Sequence, residues 1–128
     1  MEWGSIGSTI KRLKDEIEDM ITLEDFHKID IRVGKIIEVK DLEEARNPSY
    51  KVKIDFGELG IKVSSAQITK LYSKEDLLNR QIVAVVNFPP KRIAGFKSEV
   101  LILGVMKEEG EVILLQPERE APLGYKIG

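Results

Sequence analysis

The chain contains no cysteine and a single histidine, has few aromatic residues (6%), and lacks any long apolar run. Without cysteine there is no disulfide framework and no thiolate metal site, which fits a reducing compartment. A lone His27 has neither a second histidine to form a metal set nor a nucleophile motif beside it. No stretch approaches the roughly 18 apolar residues that span a bilayer. Lys11, Arg12, Lys14, Asp15 and Glu16 stand where a signal peptide would need its apolar stretch. The expectation is a cytoplasmic, non-catalytic protein with no metal and no cofactor. The paired carboxylates, Glu43 with Glu44 and Glu108 with Glu109, read as solvated turns, and the glycines form no phosphate-cradling loop.

The sequence has 128 residues, the size of one domain, and a net charge of -2. That charge is unevenly placed. Residues 1–28 carry four basic and seven acidic side chains, residues 29–107 fourteen and ten, and residues 108–128 two and five. Any anion-binding surface therefore lies in the middle segment, although charge alone is equally the mark of a solvated, mixed surface.

Residues 1–21 read as an amphipathic helical extension, with Ile6, Ile10, Leu13, Ile17 and Met20 on one face. A helix of this length is marginal alone, so it must dock, on its own barrel or on a partner subunit. Residues 22–128 read as the domain proper. Thr22 and Asp25 make a capping-box pattern. The period then changes to two. Ile29, Ile31 and Val33 alternate with polar residues and shift phase near Gly34 and Lys35, which predicts a bulge or coil in one long strand. Tyr50, Val52, Ile54 and Phe56 predict a half-buried second strand, and Ile61, Val63 and Ser65 a third. Ser73 caps a short helix, Gln81–Phe88 forms a buried strand, Lys91–Ser98 a connector, Val100–Val105 a strand, and Val112–Leu115 the last. Three strands, a helix and two further strands is the element order of a mainly β, OB-fold, five-stranded Greek-key barrel, an order that other small barrels share.

Such barrels bind ligands on the face of strands two and three and on the adjoining loops. Those regions hold Lys51, Lys53, Lys62, Arg46, Lys91, Arg92 and Lys97, with Arg32 and Lys35 along the first strand. Cations in one groove neutralise phosphates and release counterions. Phe88, Phe96 and Tyr50 offer stacking surfaces or, equally, core; Phe88 and Phe96 are also candidates for an apolar peptide groove. Asn87 stands at the mouth, able to bond a base edge or to shape the turn before Pro89.

The stretch Phe26–Gly34, FHKIDIRVG, resembles the start of the tRNA-binding domain of EMAP-II-like proteins and of some aminoacyl-tRNA synthetase appendages. VSSAQIT (Val63–Thr69), VVNFPPKRIAGFKSEVLILG (Val85–Gly104) and the ending LLQPEREAPLGYKIG look like the CsaA-type branch of that family. The resemblance implies an OB barrel that binds tRNA without synthetase activity, as a homodimer. It also implies an alternative role as a secretion chaperone for unfolded or export-bound polypeptides. It makes Arg32 a phosphate-contact candidate and places the family's basic turn on Asn87, Pro90, Lys91 and Arg92, with Ser98 following. The chain departs from the wider family in reading Ser98, Glu99, Val100, Leu101 for Ser-x-Gly-Met, and Ser64, Ser65, Ala66 for the Val-Ser-Gly-Ile turn.

Overall fold

A computed structural model describes residues 19–128; the helix expected over residues 1–21 falls almost wholly outside them. The described chain runs α1 (Leu23–His27), β1 (Ile31–Asp41), β2 (Tyr50–Asp55), β3 (Ile61–Ala66), α2 (Lys74–Leu77), β4 (Gln81–Val85), β5 (Lys91–Ile93), β6 (Phe96–Ser98), β7 (Leu101–Ile102), β8 (Gly104–Met106) and β9 (Val112–Leu114).

The principal sheet is antiparallel, in the order β3-β2-β1-β4-β7. It coils because the eleven-residue β1 serves two partners: Ile31–Lys35 pair with β4 and Lys35–Asp41 with β2. The register slips between Ile36 and Glu38, so the bulge sits at Ile37, a few residues beyond the phase shift in the sequence. A bulge adds local twist, which lets one strand turn the corner of a barrel. Gly34 marks something different, a close approach. A Cβ there would lie 2.5 Å from Ile54 Cγ2 and 2.7 Å from the Phe56 ring.

The sheet closes through a mixed seam between β3 and the segment before β7. Glu99 N–H donates to Val63 O (2.8 Å), while Val63 N–H donates to the Glu99 carboxylate (3.2 Å) and Ser65 N–H to Ser98 Oγ (3.0 Å). The mainly β, five-stranded OB-type barrel is thus as expected. Its interior holds Ile36, Val52, Ile54, Phe56, Leu77 and Ile82, all at 1% exposure or less, and the buried Ser64 hydroxyl bonds Val100 O (3.0 Å).

α2 seals one end of the barrel with Leu77. Ser73 Oγ accepts from Asp76 N–H (3.1 Å) and Asp76 from Ser73 N–H (2.9 Å), a complete capping box on a helix too short to hold without one. Those bonds, from the Ser73 backbone first and its hydroxyl second, lower the Asp76 pKa. A carboxylate whose folded pKa lies below its unfolded value stabilises above the unfolded pKa and loses that contribution as pH falls through the folded one. Ser73→Ala should cost about 1 kcal/mol, read from the urea midpoint at neutral pH; an unchanged midpoint would mean Leu77 alone holds the turn. Thr22 and Asp25 build the same box at α1.

Two expected elements differ. Lys91–Ser98 is a β-hairpin (β5 with β6), not an irregular connector, turning on Ala94 (φ 50°) and Gly95 (φ 79°). Positive φ at both central residues is the type I′ turn whose twist suits a two-residue hairpin. The strand expected over Val100–Val105 breaks at Leu103, whose N–H donates to Val83 O while its O accepts from Leu115 N–H, and β8 leaves to pair with β9. Across the outer edge of β1 runs the C-terminal tail: Gly124 N–H donates to Val33 O, Val33 N–H to Tyr125 O, and Ile127 N–H to Ile31 O.

Candidate nucleic-acid interface

β2 alternates as its sequence requires. Tyr50, Val52 and Ile54 face inward, leaving Lys51 and Lys53 on the outer face, where they pair in register with Ser65 and Val63. Lys62 stands opposite Ile54, so it lies on the other face from these two lysines. The β5–β6 hairpin leans over this outer face: Lys51 Nζ sits 5.8 Å from the Phe96 ring centre. Tyr50 is core, 7% exposed, with its hydroxyl donating to Tyr72 O (2.9 Å).

Residues opposite one another in an antiparallel pair share a face. Lys91 stands opposite Ser98 and Ile93 opposite Phe96, while Arg92 faces Lys97 on the other side of the hairpin. Cross-strand like charges destabilise a hairpin, by an amount comparable to the 0.2–1 kcal/mol or so that a favourable pair contributes. Among the described residues no carboxylate lies within 4.0 Å of Lys91, Arg92 or Lys97; the Arg92 guanidinium reaches only Gly95 O (3.3 Å). Three exposed cations are thus concentrated on a short hairpin with no counter-charge among the described residues.

The lysines of β2 are differently placed. Lys53 bonds Glu38 (3.0 Å), which also takes Lys40 (3.1 Å), and these bonds, Lys53 first, hold the Glu38 carboxyl below its usual range. A phosphate approaching Lys53 competes with that exposed, weak pair.

Other expected contacts are committed within the fold. Arg32 bonds Asp30 (2.6 Å) and Gly124 O (3.1 Å), anchoring the tail, with its side chain only 26% exposed. Asn87 Oδ1 accepts from Asp30 N–H (3.0 Å) and its Nδ2 donates to Lys28 O (2.7 Å), tying the entry into β1 to the exit from β4. Lys35 lies elsewhere, beside Arg80, Gln81 and Glu118. The structure therefore brings Lys51 and Lys53 together with Phe96, gathers Lys91 and Ser98 with Phe88 around a neighbouring groove, and sets Arg92 and Lys97 on the other face of the hairpin. It leaves Arg32 and Lys35 apart from them, with Asn87 next to Phe88 but bonded to Lys28 and Asp30.

Between the hairpin and the barrel seam lies an open groove of about 510 Å³, bounded by Phe88, Pro89, Ile93, Val100 and Leu101, with Lys91 and Glu99 at its polar edge. Phe88 is 53% exposed and Leu101 49%. The sequence reading placed Phe88 here but also Phe96, which borders a smaller hollow with Lys51, Lys53 and Val63. It missed Ile93 and Leu101; alternation about the Ala94-Gly95 turn was the signal that could have found Ile93. Among the described residues no group of His, Asp or Glu could hold a metal ion, and no helix is long and apolar enough to cross a membrane.

Residues 31–126 match the family described as a putative tRNA binding domain. The chain is 41% identical over 119 residues to a methionine–tRNA ligase of Pyrococcus abyssi, covering 92% of this chain and 16% of the ligase. It is likewise 41% identical over 110 residues to that of Thermococcus onnurineus, covering 85% and 14%. The chain thus spans about one sixth of the length of these ligases. Among solved structures, chaperone CsaA from Bacillus anthracis superposes with a TM-score of 0.82 at 59% identity, over 85% of this chain and 99% of that one. The CsaA chaperone protein from Picrophilus torridus gives 0.79 at 57%, over 85% and 100%. A coiled barrel that carries exposed cations on its β5–β6 hairpin, matched in sequence over most of its length, belongs to the tRNA-binding-domain family, in its CsaA-type branch.

Proposed function

We propose that the chain is a non-catalytic, cytoplasmic module that binds tRNA on the surface formed by the β5–β6 hairpin and the outer face of β2. The observation that carries this reading is the Arg92–Lys97 pair, two cations set opposite each other with no carboxylate within 4.0 Å among the described residues. A local arrangement that works against folding, without compensation nearby, marks a surface shaped by a ligand. Lys91, Arg92, Lys97 and, once released from Glu38, Lys53 meet phosphates. Lys51 steers them, and Ser98 Oγ, already accepting from Ser65, keeps its proton to donate. Phe96 and Phe88 offer faces on which an unpaired base can stack. Arg32 and Asn87 act by position, and Lys35 lies outside the contact. Equilibrium titration of total tRNA into the purified protein tests the reading, with salt-sensitive binding expected; an absence of binding at low salt contradicts it.

A second reading rests on the apolar groove: a chaperone that takes extended segments of unfolded or export-bound polypeptide. Its binding should survive moderate salt and suppress aggregation of a model client at equimolar protein. Failure of that suppression removes the reading.

Both readings are framed for a homodimer. On the β8–β9 hairpin, Val105 and Ile113 stand in register on one face, half exposed, with Leu115 following on the same face and Met106, 78% exposed, at the strand end. This exposed apolar strip supports placing the interface there. Val105→Asp with Ile113→Asp should convert the dimer to a folded monomer, read by sedimentation with circular dichroism as the folding control. A variant that remains dimeric places the interface elsewhere.

A further inference from the structure

We propose that the groove between Phe88 and Leu101 is the docking site of the chain's own N-terminal segment, residues 1–21. This goes beyond RNA binding and does not depend on it. Four observations support it. The first is the pattern: Trp3 extends the apolar series to Trp3, Ile6, Ile10, Leu13, Ile17 and Met20, in strict steps of three and four. That spacing puts every member on one narrow helical seam, the form that fits a groove. At fewer than three heptads it is short of what sustains a coiled coil alone. The second is position. The Asn87 side chain bonds Lys28 and Asp30, and the next residue in the chain, Phe88, lines the groove, so the chain that leaves α1 is tied within one residue of the site. α1, five residues or about 7.5 Å long, is all that intervenes in regular structure. The third is exposure. Met20, Ile21 and Leu23, where the segment meets the fold, are each about 70% exposed, as is roughly half of Phe88 and Leu101. The fourth is charge: the sequence of residues 15–19 supplies Asp15, Glu16, Glu18 and Asp19, complementary to a hairpin on which Lys91, Arg92 and Lys97 have no carboxylate within 4.0 Å among the described residues.

A cavity of about 510 Å³ lies within the range of about 300–1,000 Å³ typical of ligand sites, room for two or three anchors of the seam. Tethering supplies the rest. A short linker holds its partner at an effective concentration of the order of 1 mM, so an intrinsic dissociation constant of about 0.1 mM suffices for about 90% occupancy. If the polypeptide reading above holds, such an occupant competes with the client and lowers its apparent affinity about tenfold.

Trp3 is the sole tryptophan, so its fluorescence reports the docking directly, with neither RNA nor client present. In the full chain its emission should be blue-shifted and shielded from acrylamide relative to a synthetic peptide of residues 1–21. The double variant Phe88→Ser, Leu101→Ser, both exposed positions whose loss leaves the barrel interior intact, should return emission to the peptide value. In the intact chain the shift should not depend on protein concentration. Emission equal to the free peptide's in the intact chain overturns the proposal. So does a shift that survives the double variant, or one that is lost on dilution, which would assign the segment to another surface or to a second copy.

Discussion

Replacing Lys91 and Arg92 together by glutamate is expected to weaken tRNA binding about a hundredfold while leaving the fold intact. Each residue is exposed on β5, and neither side chain enters the barrel interior. The only hydrogen bond of either side chain among the described residues is the long one from Arg92 to Gly95 O. Removing them therefore costs the fold little, and relieving the Arg92–Lys97 repulsion returns a few tenths of a kcal/mol. In the complex each cation makes a charge-assisted bond to a phosphate, a class worth about 1.5–3 kcal/mol net. Two lost at the low end amount to about 3 kcal/mol, or about a hundredfold in affinity. Arg32→Gln provides the contrast: it should weaken the tail's hold on β1 and lower stability with little change in tRNA affinity. An unchanged Kd in the folded Lys91, Arg92 variant would remove the hairpin from the binding surface.

Gly34→Ala should lower stability by about 2 kcal/mol and the melting temperature by about 10 °C. The added Cβ would sit 2.5 Å from Ile54 Cγ2 and within 2.9 Å of two Phe56 ring carbons, distances no packed side chain tolerates. Ile54 and Phe56 are fully buried, so neither can swing into solvent. Overpacking of this kind costs about 1–3 kcal/mol. Alanine recovers some of the entropy that glycine loses in a strand, at most about 1 kcal/mol, which keeps the net near the middle of that range. At about 4–8 °C per kcal/mol the thermal shift follows. Calorimetry decides it: a change below a few degrees would mean β1 can move away from β2 at its corner, and that the close approach is not what holds the coil.

What was legible in the sequence was local or periodic. The buried face of β2, Tyr50, Val52 and Ile54, follows from strict alternation, and the caps of both helices follow from Thr22 with Asp25 and Ser73 with Asp76. The element order narrowed the fold to a small barrel, and the resemblance over Phe26–Gly34 and Val85–Gly104 singled out the OB type. The β5–β6 hairpin was obscured by its turn, since Ala94 occupies a left-handed position where asparagine or glycine gives the usual signal. The β1 bulge was displaced in the reading because Gly34 suggested a backbone irregularity where it provides space for Phe56. Least legible were bonds across long separations. Arg32 and Asn87 read as contact residues by type and position, yet Arg32 reaches Gly124 and Asn87 reaches Lys28 and Asp30, 57 or more residues away in sequence. A polar side chain beside a functional loop is as useful for holding the loop as for touching a ligand, and the long-range partner that gives it the first role is visible only in the fold.

The central claim is that a compact set of cations on the hairpin and β2 binds RNA through its phosphates. It is tested most directly by the dependence of tRNA affinity on monovalent salt. Four or five neutralised phosphates predict a slope of log K against log salt of about -3 to -4.5, falling by about two in the Lys91→Glu, Arg92→Glu variant. A slope near zero, or one identical in the variant, would contradict the account.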